Sequence, residues 1–307
     1  PTGTFQPFST LGRIDSLAVF SRHQGAQQAV ILESAGTLYQ LMEWTASNAL
    51  KTIQSGRTAP AINEAGTQYL TFNKWLIVLN GYDKAMKYAA WPMFQNSVTF
   101  VPQVYDLGWN NVPTAPNPWG VETNPALATT VGNKICIFFD DADEFECGLG
   151  IGEIDKANSY KWKVSYVSNS GSESPLSTGS EQVTWTTPDP VKKYAVYVEI
   201  PRGPEGTVAR RLYRTKNYSS DGSGSEGVYF YVKDINNNTD TSVYDSVPDG
   251  GLGSEAPPLT ASVAMPAPNA RFGAVYKDCL FIDGGAGNDT MLHYSKPVKP
   301  DEFEALS

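Results

Sequence analysis

Histidine is almost missing: His23 and His293 are the only two in 307 residues, which argues against a multi-histidine metal centre and leaves little for imidazole acid/base chemistry. Cysteine is nearly as rare. Cys136, Cys147 and Cys279 form no CxxC pair, so they build neither a disulfide framework nor a zinc site, and a reducing compartment fits them best. Cys136 and Cys147 can pair only if their strands are neighbours. No apolar run approaches the roughly 18 residues of a membrane span, and Pro1 to Phe5 read as neither the basic nor the apolar part of a leader. Basic charge is short as well: 23 Lys and Arg stand against 32 Asp and Glu, and a net charge of −9 disfavours binding nucleic acid through its phosphates. That balance still suits a surface past which DNA slides without sticking. Nor does any long stretch keep a helical period.

Hydrophobic residues make up 41% of the chain, with 7 Trp, 16 Tyr and 13 Phe, so it is globular and long enough for two domains. Short runs of β-branched and aromatic residues bounded by Gly, Asn, Asp and Pro predict an all-β chain. The clearest are Ser16–Phe20, Gln28–Glu33, Thr37–Leu41, Tyr69–Phe72, Trp75–Leu79 and Ala85–Tyr88, read as successive antiparallel strands. Ser34-Ala35-Gly36 is a hairpin connection with the glycine that a positive-φ position wants.

The chain also repeats itself. Thr71 to Gly81, followed by Lys87-Tyr88, matches Val275 to Gly285, followed by His293-Tyr294, and Thr130 to Asp140 is a weaker copy. A strand, a two-residue polar turn, a strongly apolar strand and a Gly- or Asp-rich turn into a third strand read as a blade of a β-propeller, at roughly 40–45 residues each. From Ser159 the pattern changes to short alternating strands, at Ser159–Val167, Tyr194–Ile200, Arg210–Thr215, Val228–Val232 and Ser242–Asp245, which suggest an immunoglobulin- or fibronectin III-like sandwich. Proline-rich stretches frame it: Pro102, Pro113, Pro116, Pro118 and Pro125 before, Pro257, Pro258, Pro266 and Pro268 after. The expected fold is therefore all-β, an interrupted or partial β-propeller-like domain with an inserted β-sandwich. Residues 1–149 hold blades and a proline-rich linker, 150–258 the sandwich, and 259–307 the return to an incomplete blade. Outside the insert there is room for about four blades.

Ser55-Gly56-Arg57-Thr58, Gly66-Thr67-Gln68-Tyr69, Val78 to Tyr88 with its Asn80-Gly81-Tyr82-Asp83 turn, Gly171 to Ser177 and Tyr294-Ser295-Lys296-Pro297 together resemble the tail nozzle (tail tubular) proteins of short-tailed bacteriophages. The resemblance implies a structural virion protein, assembled in the host cytoplasm and carried in the tail. It implies a ring of identical subunits, a hexamer, that forms the distal DNA-ejection channel and its gate. Its implied partners are the tail adaptor, fibres or spikes, and duplex DNA in passage without sequence-specific binding. The family supplies no catalytic residues, cofactor or metal, and its chains are usually longer.

Candidate chemistry is sparse beside this. The acidic run Asp140, Asp141, Asp143, Glu144 and Glu146 lacks the Gly and Glu of an EF-hand loop, since Phe145 and Ile151 stand there, and reads as a solvated loop. Facing the lumen of a ring, it would repel DNA. Trp109 and Trp119, in the proline-rich segment, suit docking against a neighbouring subunit. Arg210 and Arg211, with Arg214 and Lys216, lie on an alternating strand, so only part of the cluster shares one face, either paired with acid of the next subunit or solvated. The competing reading is a carbohydrate-binding or glycoside-cleaving propeller with an accessory sandwich, or an adhesin module that forms no closed ring. Asp83, Asp283 and Asp289 sit near blade turns, where most acids bond backbone amides rather than act as paired catalytic carboxylates. His293 reads as a packed or edge side chain. We therefore expect no enzyme.

Overall fold

A computed structural model of the chain describes residues 5–6, 11–22, 27–41, 50–59, 61, 66–89, 103–109, 112–123, 129–131, 134–138, 145–147, 159–184, 193–216, 227–256, 267–285 and 290–306. Among them the fold is all-β, in several antiparallel sheets of which none closes on itself. The chain divides into two compact units, Pro1–Asn110 with Ala261–Ser307, and Asn111–Thr260. No helix among the described residues is long and apolar enough to cross a membrane.

The first unit begins with β1 (Phe5–Gln6), β2 (Ser16–Arg22), β3 (Gln27–Ser34), β4 (Thr37–Leu41) and β5 (Leu50–Gln54), ordered β1-β5-β4-β3-β2. A four-stranded meander follows, β6 (Gln68–Phe72), β7 (Trp75–Leu79), β8 (Met86–Ala89) and β9 (Gln103–Asp106). Strand alternation sends Phe20, Ile31 and Leu38 of the first sheet onto Leu76, Val78 and Tyr88 of the second. Turn chemistry fixes the register. Ser34 pairs with Thr37 across Ala35 (φ 47°) and Gly36 (φ 72°), the two left-handed residues of a type I′ hairpin. A Cβ on Gly36 would stand 2.0 Å from the Arg57 carbonyl oxygen, whose residue also donates its amide to the Gly36 carbonyl. Gly36→Ala therefore combines a strained φ with a backbone clash and is expected to cost more than about 1 kcal/mol. Urea melts of the two proteins measure it, and an unchanged midpoint would contradict the tight approach.

The second unit holds β10 (Asn117–Thr123), β11 (Thr129–Val131), β12 (Lys134–Phe138), β13 (Phe145–Cys147), β14 (Ser159–Tyr160), β15 (Trp162–Ser168), β16 (Val183–Thr184), β17 (Lys193–Glu199), β18 (Thr207–Thr215), β19 (Tyr229–Ile235) and β20 (Ser242–Asp245). Its sheets run β10-β17-β20, β15-β18-β19, β11-β12-β13 and β14-β16. One core draws Tyr160, Trp162, Val196, Val198, Leu212 and Val232 from strands of different sheets. The stretch from Asn117 is a paired strand where its prolines suggest a linker. It is an edge strand, and Pro118, opposite Val198, is tolerated there because an edge does not require every N–H. The weaker repeat copy also falls here. It forms β11 and β12, and the register sets Cys136 opposite Cys147 on β12 and β13.

The chain then returns to the first unit as β21 (Gly273–Tyr276), β22 (Cys279–Asp283), β23 (Leu292–Lys296) and β24 (Lys299–Leu306), again a meander. Leu280, Ile282 and Phe303 pack on Phe72, Trp75, Ile77 and Leu79, so the β6–β9 sheet is covered on both faces. Strand β6 runs beside both β2 and β21. The hairpins β6–β7 and β21–β22 match residue for residue, Phe72↔Trp75 corresponding to Tyr276↔Cys279. In the next strand the match slips by one. Ile77 pairs with Lys87 and Phe281 with Tyr294, so Tyr294 stands where Lys87 does, because the two connecting turns differ in length.

Candidate functional site

Most of the described residues singled out in the sequence are bound within their own unit. On β18, alternation sends Arg210 inward. Its guanidinium donates to the carbonyls of Asn237 (3.2 Å), Pro201 (3.2 Å) and Asp240 (2.7 Å), and to the Asn237 side chain (3.2 Å). Arg211 faces out and is held at 2.6 Å by Glu173 and at 3.0 Å by Asp234. Glu173 also accepts the Tyr213 hydroxyl at 2.6 Å and the Ser165 hydroxyl at 2.5 Å. Burial, reinforced by Glu173, pushes the Tyr213 hydroxyl well above its usual range. Neutral acceptors of its own unit thus hold Arg210, and acids of its own unit pair with Arg211.

Trp109, just after β9, is 5% exposed. Leu107 donates to the Ala85 carbonyl and accepts from Ala267, and the Gly108 amide donates to Asp301 at 3.1 Å. The segment is thus tied down around the indole, leaving little of it for a neighbouring subunit. Trp119 lies in β10 opposite Tyr197, and Glu146 in β13 opposite Ile137, their side chains outside those described. Asp140, Asp141, Asp143 and Glu144 lie outside the described residues, as does Asp289. No group of three or more His, Cys, Asp and Glu placed to hold a metal occurs among the described residues.

The turn acids serve the backbone. Asp83 accepts the Thr58 amide (2.9 Å), the Thr58 hydroxyl (3.0 Å) and the Asn80 side-chain amide (2.8 Å). Burial pushes its carboxyl up, yet these bonds hold it below its ordinary range. Asp283 accepts the amides of Arg271 (2.8 Å) and Phe272 (3.0 Å). His293 is buried on β23, and burial lowers its pKa, so the neutral ring is favoured.

The most concentrated polar cluster of the first unit escaped the sequence reading. Glu33 on β3, fully buried, accepts the Ser16 hydroxyl at 3.2 Å and the Thr67 hydroxyl, and faces the buried Arg57 guanidinium at 3.7 Å. Arg57 Nη1 reaches the Met86 sulfur at 3.0 Å, and Ser16 meets the Tyr69 hydroxyl at 2.6 Å. Burial pushes that phenol far up.

No protein family model and no curated protein matches this chain.

The Glu33 cluster draws on β2, β3, β6 and the segment after β5, so its chemistry is that of a latch between sheets. Glu33→Gln keeps an acceptor but removes the charge that two hydroxyl donors and a guanidinium converge on. It is expected to cost about 1–3 kcal/mol in denaturant unfolding. A loss under about 0.5 kcal/mol would show that the cluster does not depend on the carboxylate.

Proposed function

We propose that the chain is a structural ring subunit at the distal end of a short phage tail, a nozzle or hub through which DNA leaves the particle. One observation carries this reading. Three antiparallel meanders, β2–β5, β6–β9 and β21–β24, stack face to face in one unit, and a second all-β unit is inserted between the second and third. We read this layout as an interrupted propeller carrying a sandwich, the architecture the family resemblance implies. The internal use of Arg210, Arg211, Glu33, Asp83 and Asp283 agrees with a scaffold, where charge is spent on rigidity. In this reading the acidic run 140–146 faces the channel and keeps DNA from adhering by like-charge repulsion. Opening of the gate is then a change of contacts between subunits.

Analytical ultracentrifugation of the purified chain, with electron imaging of the same sample, tests it. The expected particle is a closed ring of six enclosing a channel wide enough for duplex DNA. A monomer at every concentration would overturn the reading.

A further inference from the structure

We propose that the outer face of the β21–β24 sheet is the docking face for a second copy of this chain, which seats the exposed outer side of its own β2 strand there. The inference rests on the proposal that the chain assembles with copies of itself, and it names the contact.

The argument is one of repetition. Each sheet in the stack has one face toward the preceding sheet and one toward the next. On β6–β7 the face toward the next sheet carries Phe72, Trp75, Ile77 and Leu79, all buried under β21–β24. Matching registers put Tyr276, Cys279, Phe281 and Asp283 at the same positions of β21–β22. There no sheet among the described residues covers them: Phe72 is 2% exposed, whereas its counterpart Tyr276 is 61% exposed. Phe272 and Leu292 are exposed on the same face by strand alternation, and the Phe281 and Tyr294 rings stack across the strands with centroids 6.0 Å apart. Three exposed large apolar side chains around a stacked aromatic pair are more than a lone surface residue needs.

The other end of the stack is the complement. Phe20 of β2 points toward β6–β9, so Leu17 and Val19 point the opposite way, and both are 58% exposed. Further along the same face Leu32, Tyr39 and Leu41 are already buried, with Leu11 packed against them, so the open part of it is the β2 side. It is the type of surface that covers Phe72 and Trp75 one step along: aliphatic side chains on an antiparallel sheet. An open "next" face at one end and an exposed apolar strip along β2 at the other make a heterologous, head-to-tail contact, the kind that generates rings when the rotation closes.

Two readouts test this on the full chain. The first is native mass for Val19→Asp and Tyr276→Asp, each at an exposed position and checked for folding by circular dichroism. Both are expected to reduce the assembly to single chains. The second mixes Val19→Cys protein with Tyr276→Cys protein, both in a Cys279→Ser background, and adds a short bis-maleimide. A cross-linked dimer that needs both variants is expected. An assembly that survives both aspartates and gives no such cross-link overturns this docking face while leaving the ring reading standing. A wild-type protein that is monomeric at every concentration overturns both.

Discussion

Asp301→Ala is expected to lower the unfolding free energy by about 3–5 kcal/mol, because it strips a buried ammonium of its carboxylate. Lys87 on β8 and Asp301 on β24 are 2% and 1% exposed and form an ion pair inside the first unit. Asp301 also accepts the Gly108 amide at 3.1 Å, and the Lys87 ammonium stands 5.2 Å from the Trp75 ring centre and 6.0 Å from that of Tyr105. Aromatic faces help hold a cation but do not neutralise it. The sign of the pH dependence separates this loss from simple packing damage. Burial lowers the Lys87 pKa below its ordinary 10.5, and Asp301 partly restores it. Without Asp301 the folded protein holds this proton still more weakly, so the unfolded chain binds more protons below 10.5, and stability rises with pH there. Denaturant melts of the variant at pH 7 and pH 9.5 should therefore show its deficit shrinking at the higher pH. Lys87→Met combined with Asp301→Ala should recover part of the loss, since no charge is then left unpaired. A deficit under about 1 kcal/mol that does not vary with pH would refute the pairing.

How much of this was legible in the sequence follows from the range of each interaction. Strand alternation and turn chemistry are local. The runs at Thr37–Leu41 and Trp75–Leu79 were therefore read at their observed bounds, and Ser34-Ala35-Gly36 was read as the hairpin it forms. The split of Arg210 from Arg211 followed from the two-residue period of β18 alone. The repeat located two meanders of the stack but not β2–β5, whose strands share the packing role of β6–β9 without its Asn-Lys and Gly-Tyr-Asp turns. Proline misled at Asn117–Thr123, because composition does not distinguish an edge strand from a linker. Ion-pair partners were out of reach. Lys87 and Asp301 are separated by 214 positions, and Glu33 meets Arg57 and Thr67 only after two sheets have packed. Such pairs are set by tertiary register, which no window along the chain contains.

The same logic gives the largest expected effect in the second unit, at Arg214. The Arg214 and Asp245 side chains are fully buried, with Nε 3.0 Å from the carboxylate. One nitrogen of the fork donates to Asp249 at 2.9 Å and the other to the Val247 carbonyl at 2.7 Å, while the guanidinium carbon lies 4.6 Å from the Tyr160 ring centre. Asp245 accepts the Trp162 indole N–H at 2.8 Å and the Val247 amide at 3.0 Å. One cation thus fixes β18, the end of β20 and the one-turn helix Asp249–Gly251 against the core tryptophan. Arg214→Met fills much of the volume but leaves a buried carboxylate facing only neutral donors, for an expected loss of about 3–5 kcal/mol in denaturant unfolding. Arg214→Lys keeps the charge but loses the planar fork, and an ammonium cannot meet three acceptors in that geometry. A loss of about 1.5–3 kcal/mol is expected for it. A lysine variant as stable as the wild type would mean that charge alone holds the site, and a stable methionine variant would mean that Asp245 needs no cation.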